Sequence, residues 1–220
     1  MLGQIDRAEQ GHVELRHHGT DGANGLARGI TWPGPHQVAL TFDDGPSPWT
    51  LPTLAALARA GVHATFFTVG EEVAAHPDLV RAEVAAGMSV QDHTWDHADL
   101  THLDTAARDA ELERAADAIR AATGRTPSCF RPPYGATNAS VVSDAARLGL
   151  AQVLWNVDPS DYLRPGVATI TARVLASADG RGLLVGIHDG GGDRSETVAA
   201  LPAIISGLRA RGYQFVTLCG

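Results

Sequence analysis

His36-Gln-Val-Ala-Leu-Thr-Phe-Asp-Asp-Gly-Pro-Ser47 is the stretch on which the reading of this chain turns. Its first seven residues form a short β-type run, which stops abruptly in Asp43-Asp44-Gly45-Pro46. Gly and Pro explain the stop, since both punctuate turns, and taken alone the stretch reads as a turn. They do not explain two adjacent carboxylates beside an apolar strand end. Such carboxylates repel, and a cation would hold both charged.

Outward from this run the pattern alternates. The spacing predicts helices over 51–60, 77–86, 105–123, 138–148, 167–178 and 195–210. Gly61, Gly87, Gly124 and Gly149 follow the first four as stops. Between and after them, β-type runs occupy 64–69, 88–91, 128–131, 151–155, 183–188 and 213–218. Pro202 lies inside the last helical pattern and predicts a true start near Leu201. Seven β-runs separated by helices define an α/β chain built from βαβ units on a parallel sheet. A closed (β/α) barrel short of eight units and an open doubly wound sheet both fit. Either one places functional groups at the C-terminal ends of its strands.

The 220 residues suit one domain, and 44% hydrophobic with 19% charged residues is a globular composition. Residues 1–35, rich in Gly, His and Thr without a period, read as an irregular arm before a domain over 36–220. Seventeen Lys+Arg against 25 Asp+Glu give a formal charge of −8. No basic run interrupts that acidity, which argues against nucleic acid and against anionic membrane surfaces as partners. No apolar run is long enough to suggest a membrane span. Met1-Leu-Gly-Gln-Ile-Asp6 lacks the basic start and apolar core of a signal peptide, which fits an intracellular protein or a mature form. Cys129 and Cys219 fit one bridge in an exported protein or two small buried hydrophobes; nothing in the sequence brings them within bonding distance.

Four polar clusters follow four different strands. Thr41–Ser47 carries the paired carboxylates. His93-Thr-Trp-Asp-His97 sets two imidazoles at a spacing that suits borderline divalent metals, although two ordinary histidines read the same way. Phe130-Arg-Pro-Pro-Tyr-Gly135 has a backbone stiffened by two prolines, able to aim an N–H into a cleft, and Arg131 is a partner for a buried carboxylate. Asp158-Pro-Ser-Asp-Tyr162 and Ile187-His-Asp-Gly190 set a histidine near carboxylates that can keep it protonated as an acid. Separately each has a bland structural reading. Together, at one end of one sheet, they are the inventory of metal-assisted hydrolysis.

In this order the clusters resemble the polysaccharide deacetylase family, the NodB-homology carbohydrate esterases, over roughly residues 36–218. The resemblance implies a distorted (β/α) barrel of about seven parallel strands. It implies Asp44, His93 and His97 as ligands of one divalent ion, zinc first, with Co2+ or Ni2+ as alternatives. Asp43 becomes the general base that activates water, oriented by Arg131. His188 becomes the acid, held by Asp161. The backbone N–H of Tyr134, with the ion, stabilises the oxyanion. Trp95, Tyr134 and Tyr162, with Trp49 behind them, are candidate sugar contacts, whereas Trp155 reads as core filling.

Three positions depart from the family pattern. Gly87-Met-Ser-Val-Gln-Asp92 stands where Gly-His-Glu-Ile-Gly-Asn is common, so Asp92 is expected to add charge beside His93. Tyr162 stands where Trp is usual. Gly186 replaces a larger apolar residue and is expected to widen the acetyl pocket. The implied substrate is an N-acetylglucosamine polymer or oligomer of the chitin or peptidoglycan type, with acetylxylan as the alternative. A sugar-binding domain without activity would lack a base or an acid, and this chain has both. The resemblance also implies a monomer at an extracellular or cell-wall location, with a cytoplasmic one left open.

Overall fold

The structure, a computed structural model, describes residues 33–219. The expected arm over 1–35 and the reading of Met1–Asp6 lie, up to residue 32, outside the described residues. Seven strands, β1 (Gln37–Gly45), β2 (Thr65–Thr68), β3 (Ser89–Asp92), β4 (Cys129–Phe130), β5 (Ala151–Gln152), β6 (Leu183–His188) and β7 (Gln214–Phe215), form one parallel sheet. The order is β5-β4-β3-β2-β1-β6, and β7 pairs with the first residues of β1. As a ladder the sheet stays open between β5 and β6. The chain leaving β5 spans that gap, where Val157 makes a parallel bridge with Val185 of β6. The architecture is therefore the expected α/β barrel, distorted, with one loosely stitched side.

Seven α-helices connect the strands: α1 (Thr50–Ala60), α2 (Gly70–Ala75), α3 (Pro77–Ala85), α4 (Thr105–Thr123), α5 (Ala139–Arg147), α6 (Val167–Ala176) and α7 (Ser195–Ala210). The capping is local. Asp104 accepts from the Ala107 amide to start α4, Asn138 accepts from Ser140 and Val141 to start α5, and Gly61 and Gly124 end α1 and α4 in left-handed turns. Pro202 does not delay α7, which runs unbroken from Ser195. Its ring faces solvent while Leu201, Ile204, Ile205 and Leu208 face the sheet, so the carbonyl that loses a donor is on the watered side.

Alternation along the strands separates an outer layer from a barrel interior. Val38, Leu40 and Phe42 of β1, with Leu183, Val185 and Ile187 of β6, pack outward against the helices. Fully burying each side chain of this size stabilises the fold by about 1.5–3 kcal/mol. The intervening residues point inward, and register pairs them as Ala39 with Leu184, Thr41 with Gly186 and Asp43 with His188. The interior base is apolar, formed by Ala39, Phe67, Ala151, Leu184 and Leu218.

Cys129 and Cys219 form a disulfide there, 90 residues apart in sequence. It ties the C-terminal tail across the base of the barrel. Closing a loop of that length is worth about 4–5 kcal/mol in chain-entropy terms. Gln91 completes the floor. Its amide donates to the Cys219 carbonyl at 2.7 Å and accepts from the Ser128 and Cys129 N–H groups.

Candidate metal and active site

An unbroken β1 would send the side chains of Asp43 and Asp44 to opposite faces. The β1–β2 register shifts between Asp43 and Gly45, and Asp44 adopts a left-handed φ of 69°. That local break lets both carboxylates serve the mouth of the barrel. Thr94 (φ 68°), His97 (φ 65°), Tyr134 (φ 61°) and Ser160 (φ 52°) are left-handed in the neighbouring loops. Strained backbone of this kind clusters where geometry is functionally constrained.

Asp44 Oδ1 lies 3.3 Å from His93 Nε2 and 3.2 Å from His97 Nε2. The ligand atoms of all three residues fall within 4.8 Å of one another. His93 Nδ1 lies 2.7 Å from the Arg131 carbonyl. A proton there makes that nitrogen the donor and leaves the Nε2 lone pair facing Asp44. Asp44 Oδ1 is buried without a hydrogen-bond donor among the described residues. A carboxylate oxygen and two imidazole nitrogens converging on one point suit a divalent cation, and three protein ligands would leave coordination room for water and substrate. The residues present fit the implied ion.

The base and acid candidates flank this cluster. Arg131 is fully buried inside the barrel and donates to Asp43 Oδ1 at 2.7 Å and to Thr41 Oγ1 at 2.7 Å. It also donates to the carbonyls of Val153 and Leu154. Its plane is therefore fixed on several sides. His188 Nδ1 meets Asp161 Oδ1 at 2.8 Å, and Asp161 Oδ2 accepts from the His188 amide and the Thr197 hydroxyl. Burial would depress the imidazole, yet the Asp161 carboxylate prevails and pushes it up to about 9. Asp43 thus has a cation beside it and His188 an anion.

Thr41, which opens the Thr41–Ser47 cluster but had no role assigned there, and Thr197, which lies in no motif, carry part of this network. Thr41 was accessible through alternation, two residues before Asp43 on the same face. Thr197, far along the chain on α7, carried no signal.

Two tyrosines frame the opening. The Tyr134 ring stands edge-on to His97 at 4.6 Å, and that of Tyr162 edge-on to His188 at 5.5 Å. Both are exposed. Trp95 is placed differently from its expected role as a sugar platform. A Cβ on Gly70 would come within 2.7 Å of the indole, the Arg114 guanidinium covers the ring at 4.0 Å, and Nε1 donates to Glu71. With its faces engaged, Trp95 anchors its own loop. Trp49 stands just before α1 at the same end of the barrel.

Two expectations about departures are corrected. Asp92 is fully buried, its Oδ1 accepts from the Thr94 amide and its Oδ2 has no partner among the described residues. Burial pushes its carboxyl well above the usual range, which works against the added charge expected beside His93. A Cβ on Gly186 would lie 3.1 Å from Trp155, so that indole fills the room the glycine leaves.

A buried aspartate–arginine pair and a histidine–aspartate pair thus lie on either side of the Asp44, His93 and His97 cluster at the barrel mouth. The polysaccharide deacetylase family model matches residues 32–153, and the chain belongs to that family. It is 42% identical over 194 residues to a chitooligosaccharide deacetylase of Bradyrhizobium sp. (strain ANU 289), covering 82% of this chain and 88% of that protein. It is 38% identical over 183 residues to the peptidoglycan-N-acetylglucosamine deacetylase PgdA of Listeria monocytogenes serotype 1/2a, covering 83% of this chain and 38% of PgdA. Among solved structures, a family 4 carbohydrate esterase from Streptomyces lividans in complex with acetate superposes with a TM-score of 0.76 at 40% identity, covering 86% of this chain and 93% of that one.

Proposed function

We propose that this chain removes acetyl groups from N-acetylglucosamine-containing saccharides of the chitin or peptidoglycan type, with a divalent ion, zinc first, held by Asp44, His93 and His97. The donor-free carboxylate oxygen between two imidazoles carries this reading. The names of the bradyrhizobial and listerial relatives support the substrate class.

The chain's own groups divide the work. When bound, the ion supplies Lewis-acid polarisation of the acetyl carbonyl and makes water more acidic. Asp43, oriented by Arg131, accepts a proton from the attacking water. The water oxygen bonds to the carbonyl carbon, and the Tyr134 backbone N–H donates to the developing oxyanion. His188 gives its proton to the sugar nitrogen as the carbon–nitrogen bond breaks, releasing acetate and an amine. Asp161 fixes the imidazole and keeps it protonated until that moment. Tyr134 and Tyr162 pack on the sugar rings at the opening. The Cys129–Cys219 disulfide supports an exported enzyme, because such bonds persist in oxidising compartments.

Acetate release tests the reading. Protein stripped by a chelator is assayed with zinc, cobalt or nickel restored, on acetylated chitooligosaccharides, peptidoglycan and acetylxylan. Metal-dependent release from the first two is expected. Release from acetylxylan alone would replace the amide reading with an ester one, and no release from any substrate would overturn it.

Asp161→Asn tests the acid. The raised His188 pKa means the proton is present up to about pH 9. Without the carboxylate the proton leaves at lower pH, so the alkaline limb of the kcat profile should move down toward the ordinary histidine value of 6.5. An unmoved limb would remove Asp161 from this role.

A further inference from the structure

The loop that carries both histidine ligands is held by groups outside the motif. It is strained, with left-handed backbone at Thr94 and His97, so its shape depends on what grips it. On one side the grip is main chain. The first two amides of α2, Gly70 and Glu71, donate to the carbonyls of Thr94 and Trp95, both at 2.9 Å. On the other side Asp92 Oδ1 takes the Thr94 amide, and one atom takes the next two. Glu111 Oε2, from the buried face of α4, accepts from the Trp95 amide at 3.0 Å and from the Asp96 amide at 3.2 Å. These two amides sit midway between the ligands.

We propose that Glu111 is a positioning residue for the metal centre. Its carboxylate oxygen gathers the amides of Trp95 and Asp96, sets the turn between His93 and His97, and so makes the two imidazoles converge on Asp44. It acts through the loop rather than as a ligand. The Trp95 indole, seated on Gly70 and tied to Glu71, closes the other end of the same clamp. This inference rests on the proposed ion site.

The full chain, stripped by a chelator, is titrated with zinc alone in competition with a chromophoric chelator. The melting temperature of each stripped variant is recorded as well. Glu111→Ala should weaken zinc binding by about 10–100-fold, the range for partners that orient ligands. Glu111→Gln keeps a carbonyl oxygen for the two amides and should stay within about threefold of the parent. If Glu111→Ala does not fold, Glu111→Asp, which draws the oxygen back by one methylene, takes its place with the same expected weakening. Zinc affinity unchanged in the shortened or truncated variant would overturn the proposal, as would Gln weakening binding as much as Ala, since charge rather than the amide clamp would then be at work. If the parent chain itself fails to bind zinc, the ion site falls instead.

Discussion

Replacing Asp43 by Asn is expected to lower kcat by about 10²–10⁴-fold, the usual span for a lost general base, while the chain binds zinc as before. The two halves of that result follow from geometry. Asp43 points into the barrel and is engaged by Arg131, whereas Asp44 is the carboxylate that meets both imidazoles. An amide at position 43 still offers Arg131 an oxygen, so the network keeps its shape. It cannot take a proton from water. The stability cost should stay below the roughly 3–5 kcal/mol of breaking a buried ion pair outright, because the hydrogen bond survives and only the charge is lost. Acetate release and bound zinc, measured on the same preparation, check both halves. Full activity would remove Asp43 from the base role, and lost zinc would make it a ligand.

Replacing His97 by Ala should abolish the thermal shift that zinc produces. An ion that binds only the folded chain stabilises it by about 2.7 kcal/mol at one hundred times its dissociation constant. For a chain of this size that is a rise of about 5–10 °C in Tm. His97 supplies one of three ligands, and two ligands hold the ion too weakly to produce the rise at the same zinc concentration. The metal-free melting temperature should change little, since His97 is only partly buried and its ring has neighbours mainly in the cluster itself. Scanning calorimetry with and without zinc separates these effects. An undiminished shift in the variant would exclude His97 from the ligand set.

The strands were legible as apolar runs, and their order along the chain with helices between was enough to give a parallel α/β sheet. Their lengths were not. The predicted runs at 151–155 and 213–218 pair over only two residues each. Val153 and Leu218 are apolar because they line the barrel interior, whether or not their backbone joins a ladder. The short α2 was missed, because six residues ending at His76-Pro77 give too little periodicity to stand apart from α3. The disulfide was open in the sequence because β4 and the C-terminal tail meet only through closure of the barrel.

The site divides along the same line. Asp43, Asp44, His93, His97, Arg131, Asp161 and His188 stand beside strand ends in compact motifs, and the fold sets Asp44 against both imidazoles, Arg131 against Asp43 and Asp161 against His188. Glu111 was silent, because its contact is with backbone amides 15 and 16 residues away, reached across two elements. The surroundings of Asp92 were hidden for a related reason: a sequence shows a carboxyl, but only the fold shows that it is fully buried and pushed above the usual range.

The central claim is that Asp44, His93 and His97 hold one divalent ion at the barrel mouth. Anomalous diffraction at the zinc edge, from crystals grown with zinc, tests it most directly. A single strong peak is expected, touching Asp44 and the Nε2 atoms of both imidazoles, at the mouth between Asp43 and His188. Crystals in excess zinc with no peak there, and the three side chains turned apart, would contradict it.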